Sequence, residues 1–276
     1  MKITPIIKIA GSKARQLDEL LPHLAPKNTG SVLYDVFGGS GVVTIGWLSR
    51  YTANKAVFND ALPILCDLMQ QVKTDKEFTK HVRRFFKPTT NTPAAFEDLR
   101  ERFNSSKSSA DRAHIFVYLT RHCFNGLVRF NKAGRFNSPF GKYENVGFPE
   151  DAISNYSRFG SRYKVLRSDF RECMQKAKDG DVVYIDPPYA PWSDTASFTT
   201  YTGDSFGDQD QLDLIDAAVG CYARGATVVA HNNAVDWLVK AYANAGAEIT
   251  ITPRRRGISC RLDTRVAMNE MMAVFK

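Results

Sequence analysis

Val182-Val183-Tyr184-Ile185 runs directly into Asp186-Pro187-Pro188-Tyr189. A short apolar run that meets a turn signal reads as a buried strand. The two prolines end it, because they fix φ and bring no N–H to a sheet ladder. Beyond the strand lies a stiff turn whose carbonyls are free to accept hydrogen bonds. An exocyclic amine such as the N6 of adenine presents two N–H groups. Asp186 and the Pro187 carbonyl match them as acceptors, Pro188 stiffens the turn, and Tyr189 offers a face on which a base can stack. The bare tetrapeptide is equally at home in a tight turn with a solvated aspartate, so the rest of the chain has to decide.

Working outward, Val32 to Val36, Ala56 to Phe58, Tyr163 to Leu166, Ala226 to Ala230, Ala247 to Thr252 and Val266 to Phe275 also read as strands. Helical stretches at Val42 to Leu48, Gln209 to Cys221 and Val235 to Ala245 separate them. Strands alternating with helices predict an α/β sheet covered on both faces. Between the second and third strands the pattern turns helical: Ile64, Leu65, Leu68, Met69 and Val72 recur at 3.6-type spacing, and a polar break falls at Asn104 to Ser109. The expected division is therefore residues 1–61 with 157–276 as one domain and 62–156 as an insertion. Inside it, Asn131-Lys132-Ala133-Gly134 between Val128-Arg129-Phe130 and Arg135-Phe136 reads as a hairpin turn.

With 43% hydrophobic and 24% charged residues over 276 positions, the composition is that of a globular protein able to bury a large core. There is no apolar run of about 18 residues and no signal-peptide pattern after Met1, so a cytoplasmic protein without a membrane partner is expected. The five cysteines are scattered and never form a C-x-x-C pair, and the five histidines show no metal-ligand spacing, so neither a disulfide framework nor a metal is expected. The formal charge of +8 is concentrated. Residues 70–145 carry fifteen Lys or Arg against seven Asp or Glu, an excess equal to that of the whole chain. One basic segment on a neutral body suggests a polyanion held through its phosphates, although a solvated helical face gives the same count. The oligomeric state cannot be read from the sequence.

Asp35-Val36-Phe37-Gly38-Gly39-Ser40-Gly41 places a glycine-rich turn after the first strand, where a backbone can approach a nucleotide closely. No lysine follows Gly41, which argues against a phosphate-gripping loop. Asp60, at the end of the second strand, is placed to accept hydrogen bonds from ribose hydroxyls. A ribose site without a phosphate grip suits S-adenosylmethionine.

These motifs, in this order, resemble the Dam-type DNA adenine-N6 methyltransferases over nearly the whole chain. Lys8-Ile9-Ala10-Gly11-Ser12-Lys13 resembles the family's Lys-Trp-Ala-Gly-Gly-Lys, with Ile9 and Ser12 as departures. Asp35 to Gly41 resembles its cofactor loop, Asn59-Asp60 its ribose motif, Ser168-Asp169-Phe170 its adenosine-contacting motif and Asp186 to Tyr189 its catalytic motif. Arg121 to Tyr143 resembles its target-recognition hairpin. Arg254-Arg255-Arg256 with Ile258-Ser259 resembles its basic C-terminal loop, while Cys260-Arg261-Leu262-Asp263 departs from it.

The resemblance implies a Rossmann-like methyltransferase fold: a mostly parallel seven-stranded sheet with helices on both faces, plus a mainly helical insertion carrying a β-hairpin. It implies cofactor contacts from Ile9, Ala10, Gly11, Lys13, Asp35, Phe37, Gly39, Ser40, Gly41, Asp60, Asp169, Phe170 and Asp186. It implies double-stranded DNA as partner, with a GATC target contacted by Phe124, Asn125, Leu127, Arg129, Asn131, Arg135 and Pro139. The implied reaction is direct attack by adenine N6 on the methyl group after the base is flipped out of the duplex. The rivals are a catalytically silent DNA-binding protein of the same fold, a cytosine-N4 enzyme and an RNA methyltransferase. A cytosine ring-carbon enzyme is disfavoured, because no cysteine follows a proline.

Overall fold

The computed structural model describes residues 2–191, 206–254 and 268–276. Its strands are β1 (Val32–Asp35), β2 (Lys55–Asn59), β3 (Tyr163–Leu166), β4 (Val182–Ile185), β5 (Thr227–Asn233), β6 (Glu248–Arg254) and β7 (Met268–Phe275). They form one sheet in the order β3-β2-β1-β4-β5-β7-β6. β1 to β5 pair in parallel, while β7 runs antiparallel to both β5 and β6. This is the mostly parallel, Rossmann-like sheet that the resemblance implies.

The continuous apolar run in β4 has a direct structural cause. Successive side chains of a strand point to opposite faces, and here both faces are covered. Val182 and Tyr184 join the cluster containing Trp47 and Phe58, whereas Val183 and Ile185 join the one containing Phe170, Leu214 and Leu238. A strand buried on both sides has no polar face to show.

On the first face lie α1 (Leu17–Leu20), α2 (Val42–Arg50) and α3 (Pro63–Thr74). The apolar positions of α3 picked out by their spacing are all buried. The insertion continues through α4 (Phe78–Arg83), α5 (Pro93–Ser105), α6 (Ser109–His122) and α7 (Glu150–Arg158). Side-chain caps start both of the helices that flank the polar break: Thr92 accepts from the Ala95 N–H at the head of α5, and Ser108 from the Asp111 N–H at the head of α6. Phe96, Phe103, Phe116 and Phe136 of the insertion share one core with Trp47 and Phe58. The insertion thus packs on the sheet through continuous apolar contact. The second face is covered by α8 (Phe170–Met174), α9 (Asp208–Ala223) and α10 (Asp236–Asn244).

The expected hairpin is present as two antiparallel bridges, Cys123 to Phe140 and Phe130 to Phe136, without a longer ladder. Cross-strand bonds from Asn131 N–H to the Arg135 carbonyl and from Asn137 N–H to the Arg129 carbonyl hold the second bridge, and side chains take neighbouring backbone groups. Asn104 brackets Phe136, accepting its N–H at 2.8 Å and donating to its carbonyl at 3.0 Å. Ser138 Oγ accepts the Arg129 N–H at 3.0 Å. Gly134, at φ +70°, closes the turn. Among the described residues no helix is long and apolar enough to cross a membrane.

Candidate active site

The strand order reverses between β1 and β4, and crevices outside the carboxyl ends of strands at such a reversal are where open α/β sheets bind ligands. The expected motifs converge there, since β1 leads into Phe37 to Gly41, β2 into Asp60, β3 into Asp169 and β4 into Asp186. Gly41, at φ +76°, caps α2 in the left-handed region, and a Cβ there would come within 3.0 Å of Met69 Sδ and the Tyr156 ring. At Gly39, also at positive φ, the nearest atom to such a Cβ is the Phe37 carbonyl oxygen at 3.9 Å. The turn is therefore packed behind and open in front. Ser40 is buried, accepts the Tyr156 hydroxyl on its carbonyl at 2.8 Å, and its Oγ lies 3.2 Å from that of Ser12.

Asp60 fixes this turn from beneath. Its Oδ2 accepts the Gly39 N–H at 2.9 Å and its Oδ1 the Leu62 N–H at 2.8 Å. Burial lifts its carboxyl to about 6, against the pull of those two donors. A carboxylate oxygen accepts more than one hydrogen bond, so these two bonds leave acceptor capacity on Asp60. Asn59, legible in the sequence only as part of the ribose motif, ties three loops together. It donates to the Val36 and Ser168 carbonyls and accepts the Ser168 N–H. Asp35 is buried, and its Oδ2 accepts the N–H and hydroxyl of Thr44 at 3.1 and 2.6 Å. Burial raises its carboxyl to about 7.

The Asp186 turn is held as rigidly as its prolines suggest. Lys13, only 5% exposed, places Nζ 2.7 Å from each Asp186 carboxylate oxygen and 2.9 Å from the Tyr189 hydroxyl. Burial raises the Asp186 carboxyl above the usual range, and the Lys13 ammonium pulls it back. The Pro188 carbonyl accepts Gln211 Nε2 at 2.8 Å, whereas the Pro187 carbonyl accepts no hydrogen bond among the described residues. Behind the turn, Asn232 accepts the Ala190 N–H at 2.9 Å and donates to Gln211 at 3.0 Å, and Asn233 donates to the Ala190 carbonyl. Sequence reasoning missed these three amides; the only signal was the polar run His231-Asn232-Asn233 after the apolar Val228 to Ala230.

Phe37 and Phe170 lie 5.9 Å apart, and Phe206, also unforeseen, meets them at 5.7 and 5.9 Å. Asp169 caps α8 by accepting the Arg171 N–H and pairs with the Arg171 guanidinium at 3.2 Å. Gly11 is exposed beside Lys13, while Ile9 and Ala10 are half-buried, Ile9 against the first core.

The sequence profile of the D12 class N6 adenine-specific DNA methyltransferases matches residues 10–256. The chain belongs to that family. It is 35% identical over 271 residues to the DNA adenine methylase of Escherichia coli strain K12, covering 98% of this chain and 94% of that one. The Serratia marcescens DNA adenine methylase is also 35% identical, with coverages of 98% and 97%. Among solved structures, the C-terminal domain of precorrin-6Y C5,15-methyltransferase from Rhodobacter capsulatus superposes with a TM-score of 0.44 at 11% identity, covering 100% of this chain and 98% of that one.

In this Dam-type adenine methyltransferase, the residues expected at DNA lie mostly on the surface of the insertion. Phe124 is 47% exposed, Asn125 is held at φ 52°, Pro139 is exposed, and Leu127 and Arg129 are placed along the hairpin. Two of the seven are already engaged. Asn131 Oδ1 accepts the Ala133 and Arg135 N–H groups, and Arg135 pairs with Glu101 at 2.6 Å. Arg129 has no side-chain partner among the described residues. Some of the basic side chains of residues 70–145 are likewise engaged, in the pairs Lys80–Glu77, Arg83–Glu150 and Arg102–Asp111. Arg121 donates to the carbonyls of Ile6 and Pro5, and burial lowers its guanidinium to about 10. Residues 255–263 of the expected basic C-terminal loop lie outside the described residues.

Proposed function

We propose that this enzyme uses S-adenosylmethionine to methylate the N6 of an adenine flipped out of duplex DNA at GATC, with Asp186 and the Pro187 carbonyl receiving the amine. The observation that supports this most is the paired acceptor set: a half-buried carboxylate beside a carbonyl that no described residue occupies, at the sheet's reversal point. The amine lone pair is delocalised into the purine ring. Accepting both N–H bonds favours a pyramidal nitrogen with its lone pair free to attack. The new N–C bond forms as the C–S bond breaks, and the surplus proton leaves the methylated amine for water or Asp186. Positioning supplies most of the acceleration.

S-Adenosylmethionine, when bound, supplies a methyl group activated on a sulfonium. The open front of the Gly39 turn, Asp60 and the Phe37/Phe170 face fit its ribose and adenine. Lys13 keeps Asp186 charged until the substrate arrives, and Tyr189, with its hydroxyl held by Lys13, stacks the flipped base. Residues 62–156 form the target-reading part, with Arg129 as its main base reader and Phe124 at the point where the stack opens. Methylation-sensitive sequencing of duplex DNA treated with the enzyme and S-adenosylmethionine tests base, atom and site together. N6-methyladenine at GATC is expected; modification of cytosine or of another site would overturn the corresponding part.

A further inference from the structure

Asp75, His81 and His114 come from three separate elements of the insertion: Asp75 follows α3, His81 lies in α4 and His114 in α6. His81 Nδ1 lies 2.8 Å and His114 Nε2 3.0 Å from the same oxygen, Asp75 Oδ2, and all three atoms fall within 4.8 Å of one another. We propose that these residues form a binding site for a divalent transition ion of the zinc type, unrelated to methyl transfer, that ties the far end of α3 to α4 and α6.

Two imidazoles and one carboxylate, with a water in the fourth position, is a donor set that zinc accepts. Zinc–ligand bonds of about 2.0–2.1 Å in a tetrahedron set neighbouring donor atoms about 3.3 Å apart. The two observed separations from Oδ2 are close to that value, so an ion enters by a small opening of the cluster. The carboxylate is already oriented, because Oδ1 accepts the Glu77 N–H at 2.9 Å, which is the kind of outer support that metal ligands need. His114 is buried and packed 5.1 Å from the Phe78 ring, and burial lowers its pKa, favouring the neutral ligating form. His81 is the more exposed member, leaving a solvent side for the water ligand. The spacing along the chain is long and irregular, six residues from Asp75 to His81 and 39 from Asp75 to His114. No sequence pattern announces it.

The same three groups can instead be joined by hydrogen bonds alone, and titration separates the two readings. Full-length protein without a histidine tag is titrated with Co2+, followed by Zn2+. One equivalent of Co2+ should produce visible d–d bands of a four-coordinate ion, and Zn2+ should abolish them. Zn2+ at about 100 times its Kd should raise the Tm by roughly 5 °C. His81→Ala and Asp75→Asn should each lose the bands and the Tm shift while retaining the parent's circular dichroism. Absence of a stoichiometric Co2+ spectrum in the parent, which needs no variant to fold, would overturn the proposal. So would a spectrum that survives both substitutions.

Discussion

The Lys13 ammonium lies 2.7 Å from both carboxylate oxygens of Asp186, across 173 residues of chain. Removing that ammonium leaves burial opposed only by the Tyr189 hydroxyl, so Asp186 will hold its proton to higher pH. Asp186 is needed as the carboxylate, so activity is lost as pH falls through its pKa. Lys13→Met is therefore expected to move the acidic limb of the kcat profile upward by about 1–3 pH units. An unchanged limb would show that Lys13 does not govern Asp186.

Asp60→Ala should weaken S-adenosylmethionine binding by about 1.5–3 kcal/mol, through lost hydrogen bonds to a charged acceptor. With its carboxyl at about 6, the parent's affinity should also decline as pH falls through that value, because the protonated form accepts fewer hydrogen bonds. Calorimetric titration against pH checks both. Normal binding by Asp60→Ala would remove it from the ribose site.

Asp35 is buried with its carboxyl raised from 3.8 to about 7. The folded state therefore retains the proton more firmly than the unfolded chain. The stabilisation from protonated Asp35 is present below about 4 and is lost as pH rises toward 7. Asp35→Asn does not titrate, so its stability relative to the parent should rise by roughly 3–4 kcal/mol between those limits. Urea denaturation at each pH measures this; a pH-independent difference would contradict it.

Arg129 has no side-chain partner among the described residues, whereas Arg135 is held by Glu101. A guanidinium fork matches the O6 and N7 acceptors of guanine. Arg129→Ala should cost roughly 1–3 kcal/mol on GATC duplexes and less on sites lacking that guanine. Equal losses on both would make Arg129 a phosphate anchor. Arg135→Ala should have the smaller effect and flatten the salt dependence less than a free phosphate contact would.

The strand ends were legible because strands buried on both faces are apolar throughout and stop abruptly at Asp35, Asn59 and Asp186. The first helix of the insertion was legible from its apolar spacing, and the boundary between α5 and α6 from its polar break. What sequence could not show is how side chains are spent once the chain closes. Asp35 sits in a cofactor motif yet faces Thr44. Gln211, Asn232 and Asn233 look like ordinary helix and strand positions, but converge behind the Asp186 turn from two elements. Phe206 joins Phe37 and Phe170 only in the folded sheet, and the outer edge of the hairpin is held by Asn104, 32 residues before Phe136. Each is a contact between distant segments that leaves no local signature.

In the proposed mechanism Asp186 receives the amine of adenine and contributes little to holding the cofactor. Single-turnover transfer of labelled methyl to duplex DNA by Asp186→Ala, with S-adenosylmethionine affinity measured on the same preparation, tests it most directly. Transfer should be abolished while cofactor binding stays within several-fold of the parent. Near-parental transfer by Asp186→Ala would remove Asp186 from the chemistry.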